Sequence, residues 1–292
     1  MNIKKILKTV CCLAGGLAVV CHAGENVGLG RFTDAHVHFQ DRRAGDLDKV
    51  DAWMKSNNVA RVIIHPLSQS RWKTEDERTQ MIANYAQFKG RIDRFCIICS
   101  DEVSTEEEAI KLLTREKQDG AIGFGEHYGG DKGDNKFDSP GCMRLFAACA
   151  KVGLPVMFHM DKGQNLDEKG LPRLEHVLKT YSNLTFIAHS DWWRNLPDGT
   201  CDRLLKNYTN LYADISCTVN RSIIGRDKKI AREFFISNAD KLLFGTDSGW
   251  WSLGNKPAAP EYALIDELKL PKDVEDKICR GNAERLFWKS KE

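Results

Sequence analysis

Arg31-Phe32-Thr33-Asp34-Ala35-His36-Val37-His38-Phe39 is a short apolar run that carries two histidines near its end. A run of this length, apolar on both alternating faces, fits a parallel strand buried from two sides. Seven runs of the same kind follow: Ala60–Pro66, Arg94–Ser100, Gly120–His127, Leu154–Asp161, Leu184–Asp191, Leu211–Cys217 and Lys241–Ser248. Amphipathic stretches lie between them, at Leu47–Ser56, Glu75–Phe88, Thr105–Lys117, Met143–Val152, Leu171–Tyr181 and Ile223–Phe235. A polar residue near the end of each run serves as a ruler: His36, His65, Ser100, Glu126, His159, His189, Ser216 and Asp247. The successive gaps are 29, 35, 26, 33, 30, 27 and 31 residues. A steady period of about 30 is what one strand-plus-helix unit needs. Eight such units predict an α/β chain folded as a single-domain (β/α)8, or TIM, barrel. An open doubly wound sheet would want a Gly-rich phosphate loop where Asp34-Ala35-His36-Val37-His38 stands.

The 292 residues suit one barrel of this kind. Charged residues make up 29% and the formal net charge is +2. There is no basic stripe with interleaved aromatics, so nucleic acid is not expected as a partner. A small-molecule substrate is, and a homo-oligomer is left open. Residues 1–23 read as a cleaved signal peptide: Lys4, Lys5 and Lys8, then apolar Val10–Val20, then Cys21-His22-Ala23 before Gly24. The barrel is thus assigned to residues 24–292, and the protein is expected to be exported, periplasmic or secreted. Val20 before Cys21 argues against a lipoprotein anchor, which usually wants a small residue there. No later segment reads as a membrane span. Three of the ten cysteines leave with the signal; the other seven, an odd number, need form no disulfide framework, which belongs to short secreted chains and not to one of this size. Cys96 and Cys99 have redox spacing but lie in an apolar run, where they would point apart and serve as small core residues.

Active-site residues in a (β/α)8 barrel gather at the C-terminal ends of the strands. Five rulers there are good metal ligands, His36, Glu126, His159, His189 and Asp247, and His38 is a sixth. His36 and His38 are two strand residues apart, roughly 7 Å along one face, so two imidazoles can converge on one ion. A barrel end has no structural use for four histidines and two carboxylates, because buried polar groups cost free energy unless paired or metal-bound. Imidazole and carboxylate ligation suits zinc best, with manganese, iron or cobalt also accommodated.

With these motifs the chain resembles the amidohydrolase superfamily, in its amidohydrolase-2 branch. The resemblance is carried by Thr33–Phe39 on the first strand, Pro155-Val156-Met157-Phe158-His159 on the fifth, Phe186-Ile187-Ala188-His189 on the sixth and Leu242–Ser248 on the eighth. Gly281–Phe287 resembles its closing helix. The resemblance implies that His36, His38 and Asp247 hold the more buried metal. It further implies that His159 and His189 complete a second position, or bind a single ion and polarise the substrate. Many relatives place a carbamylated lysine where this chain has Gly125-Glu126-His127. We read Glu126 as the ligand and His127 as a loop or substrate residue.

The expected chemistry is hydrolysis of an ester, lactone or amide bond in a small ring-containing substrate. The ion activates water, Asp247 takes the proton, and the metal with a strand-end histidine such as His189 stabilises the oxyanion. Trp192, Trp193 and Trp250 would stack on the ring, and Asp161, Arg194 and His127 would hold its polar groups. Two other readings stay open: non-oxidative decarboxylation of a ring carboxylate, and a binding protein that has lost catalysis. His65 is read as a capped strand-end histidine, Asp214 as a buried structural acid rather than a ligand, and Trp72 as a loop anchor. Material exported by a bacterial host should begin near Gly24 on N-terminal sequencing. Retention of Met1 in a cytoplasmic fraction would contradict the export signal.

Overall fold

A computed structural model describes residues 30–67, 72, 74–127, 136–159, 170–189, 199–216, 227–253 and 259–288. The signal-peptide assignment lies outside these residues. The first strand, β1 (Phe32–His38), is buried along its whole length. It is followed by α1 (Asp46–Ser56), β2 (Val59–Ile64), α2 (Glu75–Ala86), β3 (Ile92–Cys96), α3 (Glu106–Gln118), β4 (Ala121–His127) and α4 (Pro140–Val152). Then come β5 (Val156–His159), α5 (Gly170–Thr180), β6 (Phe186–His189), α6 (Thr200–Asn207), β7 (Leu211–Asp214) and α7 (Lys228–Ser237). Thr74, Thr105, Ser139 and Asp227 cap α2, α3, α4 and α7, each side-chain oxygen accepting a backbone N–H of the first turn.

Every strand is parallel to its neighbour, in the order β8-β7-β6-β5-β4-β3-β2-β1-β9. The expected eighth strand is in two pieces, β8 (Leu242–Leu243) on β7 and β9 (Ser248–Gly249) on β1. Between them Ala35 N–H donates to Phe244 O and Asp247 N–H to His36 O, both at 2.9 Å. The eighth segment therefore touches β7 at its start and β1 at its end, and the ring closes. The break is local. Gly245 lies where a Cβ would come within 3.3 Å of both His36 and Asp214 Cβ. Asp247 has φ +54°, a left-handed conformation that Asp tolerates better than most residues.

Two other expectations shift. The third strand ends at Cys96, so Cys99 and Ser100 lie beyond it rather than within it. Helix α6 carries only three buried residues, Cys201, Leu204 and Leu205, too few to stand out as a period. Cys96 and Cys99 are buried, as the core reading required, and so are Cys142, Cys149, Cys201 and Cys279.

The helices cover the outside of the sheet and bury the main core. A second cluster fills the barrel itself, from Ala35, Ile63, Phe95, Met157, Ile187 and Leu243. It is stoppered from below by the C-terminal segment, which follows α8 (Pro260–Leu268) and runs through α9 (Lys272–Asp276) and a wide turn into α10 (Asn282–Phe287). Ala283 enters the cluster, Phe287 meets Phe95 edge-on at 5.6 Å, and Trp288 donates to Asp93 at the base of β3. Asn282, fully buried, donates to Ala239 O (2.6 Å) and Leu242 O (2.8 Å) and ties the stopper to β8. Asn282→Ala should leave both carbonyls without these donors and cost about 1–3 kcal/mol. Thermal unfolding should show a fall in Tm of several degrees, with no loss of metal from the opposite end.

Candidate metal centre

At the upper end of the barrel six side chains meet. Glu126, at the end of β4, lies at the centre with its two oxygens turned apart. Its Oε2 is 3.6 Å from His36 Nε2 and 3.4 Å from His38 Nε2. Those two ring nitrogens are 3.1 Å from each other, and Asp247 Oδ1 is 3.2 Å from His38 Nε2. The other oxygen, Oε1, contacts His159 Nδ1 and lies 3.3 Å from His189 Nε2. His159 and His189 are register partners in the β5–β6 ladder, which sets them side by side. Donor atoms around a tetrahedral ion at about 2.1 Å stand about 3.4 Å apart. The spacings around Oε2 fit that, as does the distance of His189 Nε2 from Oε1. His36, His38 and Glu126 form one candidate donor group and Glu126, His159 and His189 another.

Gly125 makes the position of Glu126 possible. Its φ is +131°, where L side chains are strained, and an added Cβ would run into the Met157 carbonyl.

A second layer fixes which ring nitrogens face inward. Asp214, on β7 and fully buried, accepts from Nδ1 of His36 (2.9 Å) and from Nδ1 of His189 (3.2 Å). Nε2 of each ring is thereby left free toward Glu126. Ser216 Oγ donates to Asp214 Oδ1 (2.6 Å) and lies 2.7 Å from His189 Nδ1. His38 donates from Nδ1 to His65 O (2.8 Å), so its Nε2 also faces the centre. Asp214 lies within ligand distance of His36 and His189. Its oxygens already accept from both rings, from Ser216 Oγ and from Ser216 N–H (3.1 Å), so it orients ligands rather than competing with them.

The charges show what the cluster wants. Burial opposes protonation of His36, yet Asp214 and Glu126 outweigh it and raise the ring well above its usual range. His38 rises to about 9 in the same way, against burial and through Asp247 and Glu126. Burial would push Glu126 and Asp247 up, but the surrounding imidazoles hold both well below the carboxylate range. Carboxylates that stay ionised by drawing protons onto buried imidazoles form a site whose protons a divalent cation can replace. The residues fit a metal.

His36, His38, Glu126, His159, His189 and Asp247 therefore converge as the sequence proposed. His127 does not join them. It is 1% exposed, with Nε2 3.3 Å from Cys142 Sγ on α4 and its ring beside Phe124 and Phe146. Burial lowers it to about 4, so it is a neutral core residue on the helix side of β4, not a loop or substrate residue. Gly245 gives room to the His36–Asp214 pair. His65 donates from Nε2 to Ala35 O and packs on His36 and Phe95, as a strand-end core histidine. Trp72 stacks beneath the Arg94 guanidinium, 5.4 Å away. Trp250 lines an open cleft beside His38, while Asp161, Trp192, Trp193 and Arg194 lie outside the described residues. What sequence reading missed is how active Asp214 is. The signal was present, an acid two residues before a strand-end serine, but pairing with two histidines from other strands is not local.

A family model described as amidohydrolase, the amidohydrolase-2 family, matches residues 30–288. The chain belongs to the amidohydrolase-2 family. A search of curated protein sequences gives no match. Among solved structures, an uncharacterised TIM-barrel protein from Bordetella bronchiseptica is 17% identical, with TM-score 0.65 over 87% of this chain and 98% of that one. A probable 2-pyrone-4,6-dicarboxylic acid hydrolase from Acinetobacter baumannii is 14% identical, with TM-score 0.62 over 88% and 99%. A dihydroxybenzoic acid decarboxylase from a Polaromonas species, with bound manganese, is 12% identical, with TM-score 0.60 over 88% and 96%. At these identities the likeness is one of fold.

The purified protein should carry one or two equivalents of divalent metal by elemental analysis, and His36→Ala or His38→Ala should lose most of it. Asp214→Asn removes the charge and one of the two acceptor oxygens that serve the His36 and His189 rings. Metal affinity, measured by chelator competition, should fall roughly 10–100-fold while the protein stays folded.

Proposed function

We propose that this amidohydrolase-2 member is a metal-dependent hydrolase that cleaves an ester, lactone or amide bond in a small ring-containing molecule. The observation that carries this is the contrast between the two carboxylates of the cluster. Glu126 is closed off, with 3% of its side chain exposed, whereas Asp247 keeps 25% exposed while remaining ionised. A buried carboxylate can only hold charge. A half-open one beside the ligands can also take a proton from water and return it to a departing group. A bound divalent ion, zinc or another of the borderline metals, supplies Lewis acidity toward water and the scissile carbonyl.

The chain's own groups do the rest. Glu126, His36 and His38 hold the charge in place, and His159 and His189 face the second half of the site, where they meet substrate or complete ligation. Trp250 offers an aromatic face to the ring. The signal-like N-terminus supports a site of action outside the cytoplasm.

Decarboxylation of a ring carboxylate is the second reading. It is favoured by the presence of both a hydrolase and a decarboxylase among structures of the same fold. A panel of esters, lactones, amides and ring carboxylates, followed in parallel for proton release and CO2 release, separates the two. Binding without turnover across the panel would favour an inactive binding protein.

Asp247→Asn keeps the shape and one ligand oxygen. Turnover of a hydrolysed substrate should fall on the order of 10²–10⁴-fold with much of the metal retained on the same sample. Near-normal turnover would remove Asp247 as the base.

A further inference from the structure

Strand β4 carries Glu126 to the metal centre against its own alternation. Side chains on a strand point to opposite faces in turn, so residues two apart share a face. Phe124 belongs to the apolar layer between sheet and helices, yet Glu126, two residues on, meets the histidines of the barrel end. The ladder with β5 gives the reason. Phe124 pairs with Val156 and His127 with Phe158, so three steps along β4 are matched to two along β5. One extra residue is inserted at Gly125-Glu126, and such a bulge is rare between parallel strands. It reverses the faces beyond it: Glu126 turns inward, and the His127 ring lies beside Phe124 on the helix side. Without the extra residue the two would exchange places. Glu126 would enter the apolar layer, where a carboxylate is costly, and His127 would face the ligands.

A slip of one residue flips every side chain beyond it, so the strand needs an anchor past the bulge. His127 supplies one. Its Nε2 lies 3.3 Å from Cys142 Sγ, and its ring meets Phe146 edge-on at 5.4 Å. Cys142 is in the first turn of α4 and is itself tied down, its N–H donating to the Oγ of the cap Ser139 at 3.3 Å. We propose that the His127–Cys142 contact is the register lock of β4, which makes His127 a positioning residue that keeps Glu126 turned toward the metal. The lock rests on the metal-centre reading above, and its test separates the two.

The probe is cobalt(II), loaded into the full chain, whose visible absorption reports the number and geometry of its ligands. Cys142→Ala removes the sulfur with a residue that favours helix. Cys149→Ala is the control: the same exchange at an equally buried site, about 10 Å further along the same helix. Cys142→Ala should lower cobalt affinity, measured by chelator competition, about tenfold or more and change the spectrum. Cys149→Ala should keep wild-type affinity and spectrum, even where both variants lose the same Tm. His127→Phe keeps a ring in the layer without the contact to sulfur, and it should repeat the Cys142→Ala result should that variant fold poorly. Wild-type affinity and spectrum in either contact variant, or equal losses in the Cys149→Ala control, overturn the lock alone. Absence of cobalt binding by the wild-type chain overturns it together with the metal-centre reading.

Discussion

Glu126 is the constraint around which the upper end of this barrel is arranged. Four histidines from three strands crowd one carboxylate, and none of the six ligand-type groups could be buried there without the others. A lone buried carboxylate would take up a proton and a lone buried imidazole would lose one, since charge is costly away from water. Here Glu126 and Asp247 keep His36 and His38 charged, and are kept charged in turn. That mutual dependence demands a closed ring. His36 and His38 come from the first strand, His159 and His189 from the fifth and sixth, and only closure of the barrel lets β4 present Glu126 to both pairs. Asp214 then works from behind, turning the two rings nearest to it so that the correct nitrogens look inward.

The two ends of the barrel divide stability and chemistry between them. Below, Phe95, Phe287 and Ala283 fill the interior with apolar volume, and Trp288 and Asn282 anchor the stopper by hydrogen bonds. Above, the interior turns polar at the level of the histidines, with the Trp250–Trp251 pair beside His38. Substitutions at one end should be felt little at the other, because the packed middle layer separates them.

Much of this was legible in the chain itself. Eight apolar runs at near-constant spacing announce the barrel because each strand is buried on both faces, and strand-end ligands stand out because a core has no other use for them. His127 misled for a specific reason. Next to a ligand on a strand, alternation says only that it faces the other way, and whether that other side is pocket or helix depends on α4, which delivers Cys142 and Phe146 to it. Asp214 was undervalued because its partners lie 178 and 25 residues away. The split in the eighth strand has the same character. Lys241–Ser248 looks continuous, and only the crowding of His36 and Asp214 against Gly245 shows why the pairing must pause there.

That eighth segment also orders events in time. Thr246 bonds to Asp34 across 212 residues of chain, and Asp247 takes its left-handed turn on the carbonyl of His36. A chain still being synthesised holds its first strand, with both histidines, long before it holds either the segment that locks them or the helix that seals the base. The half-made ring has exposed edges and no complete ligand set. The ligand set is complete only once the eighth segment is in place, so residues 241–288 decide whether the first strand ever becomes part of a site.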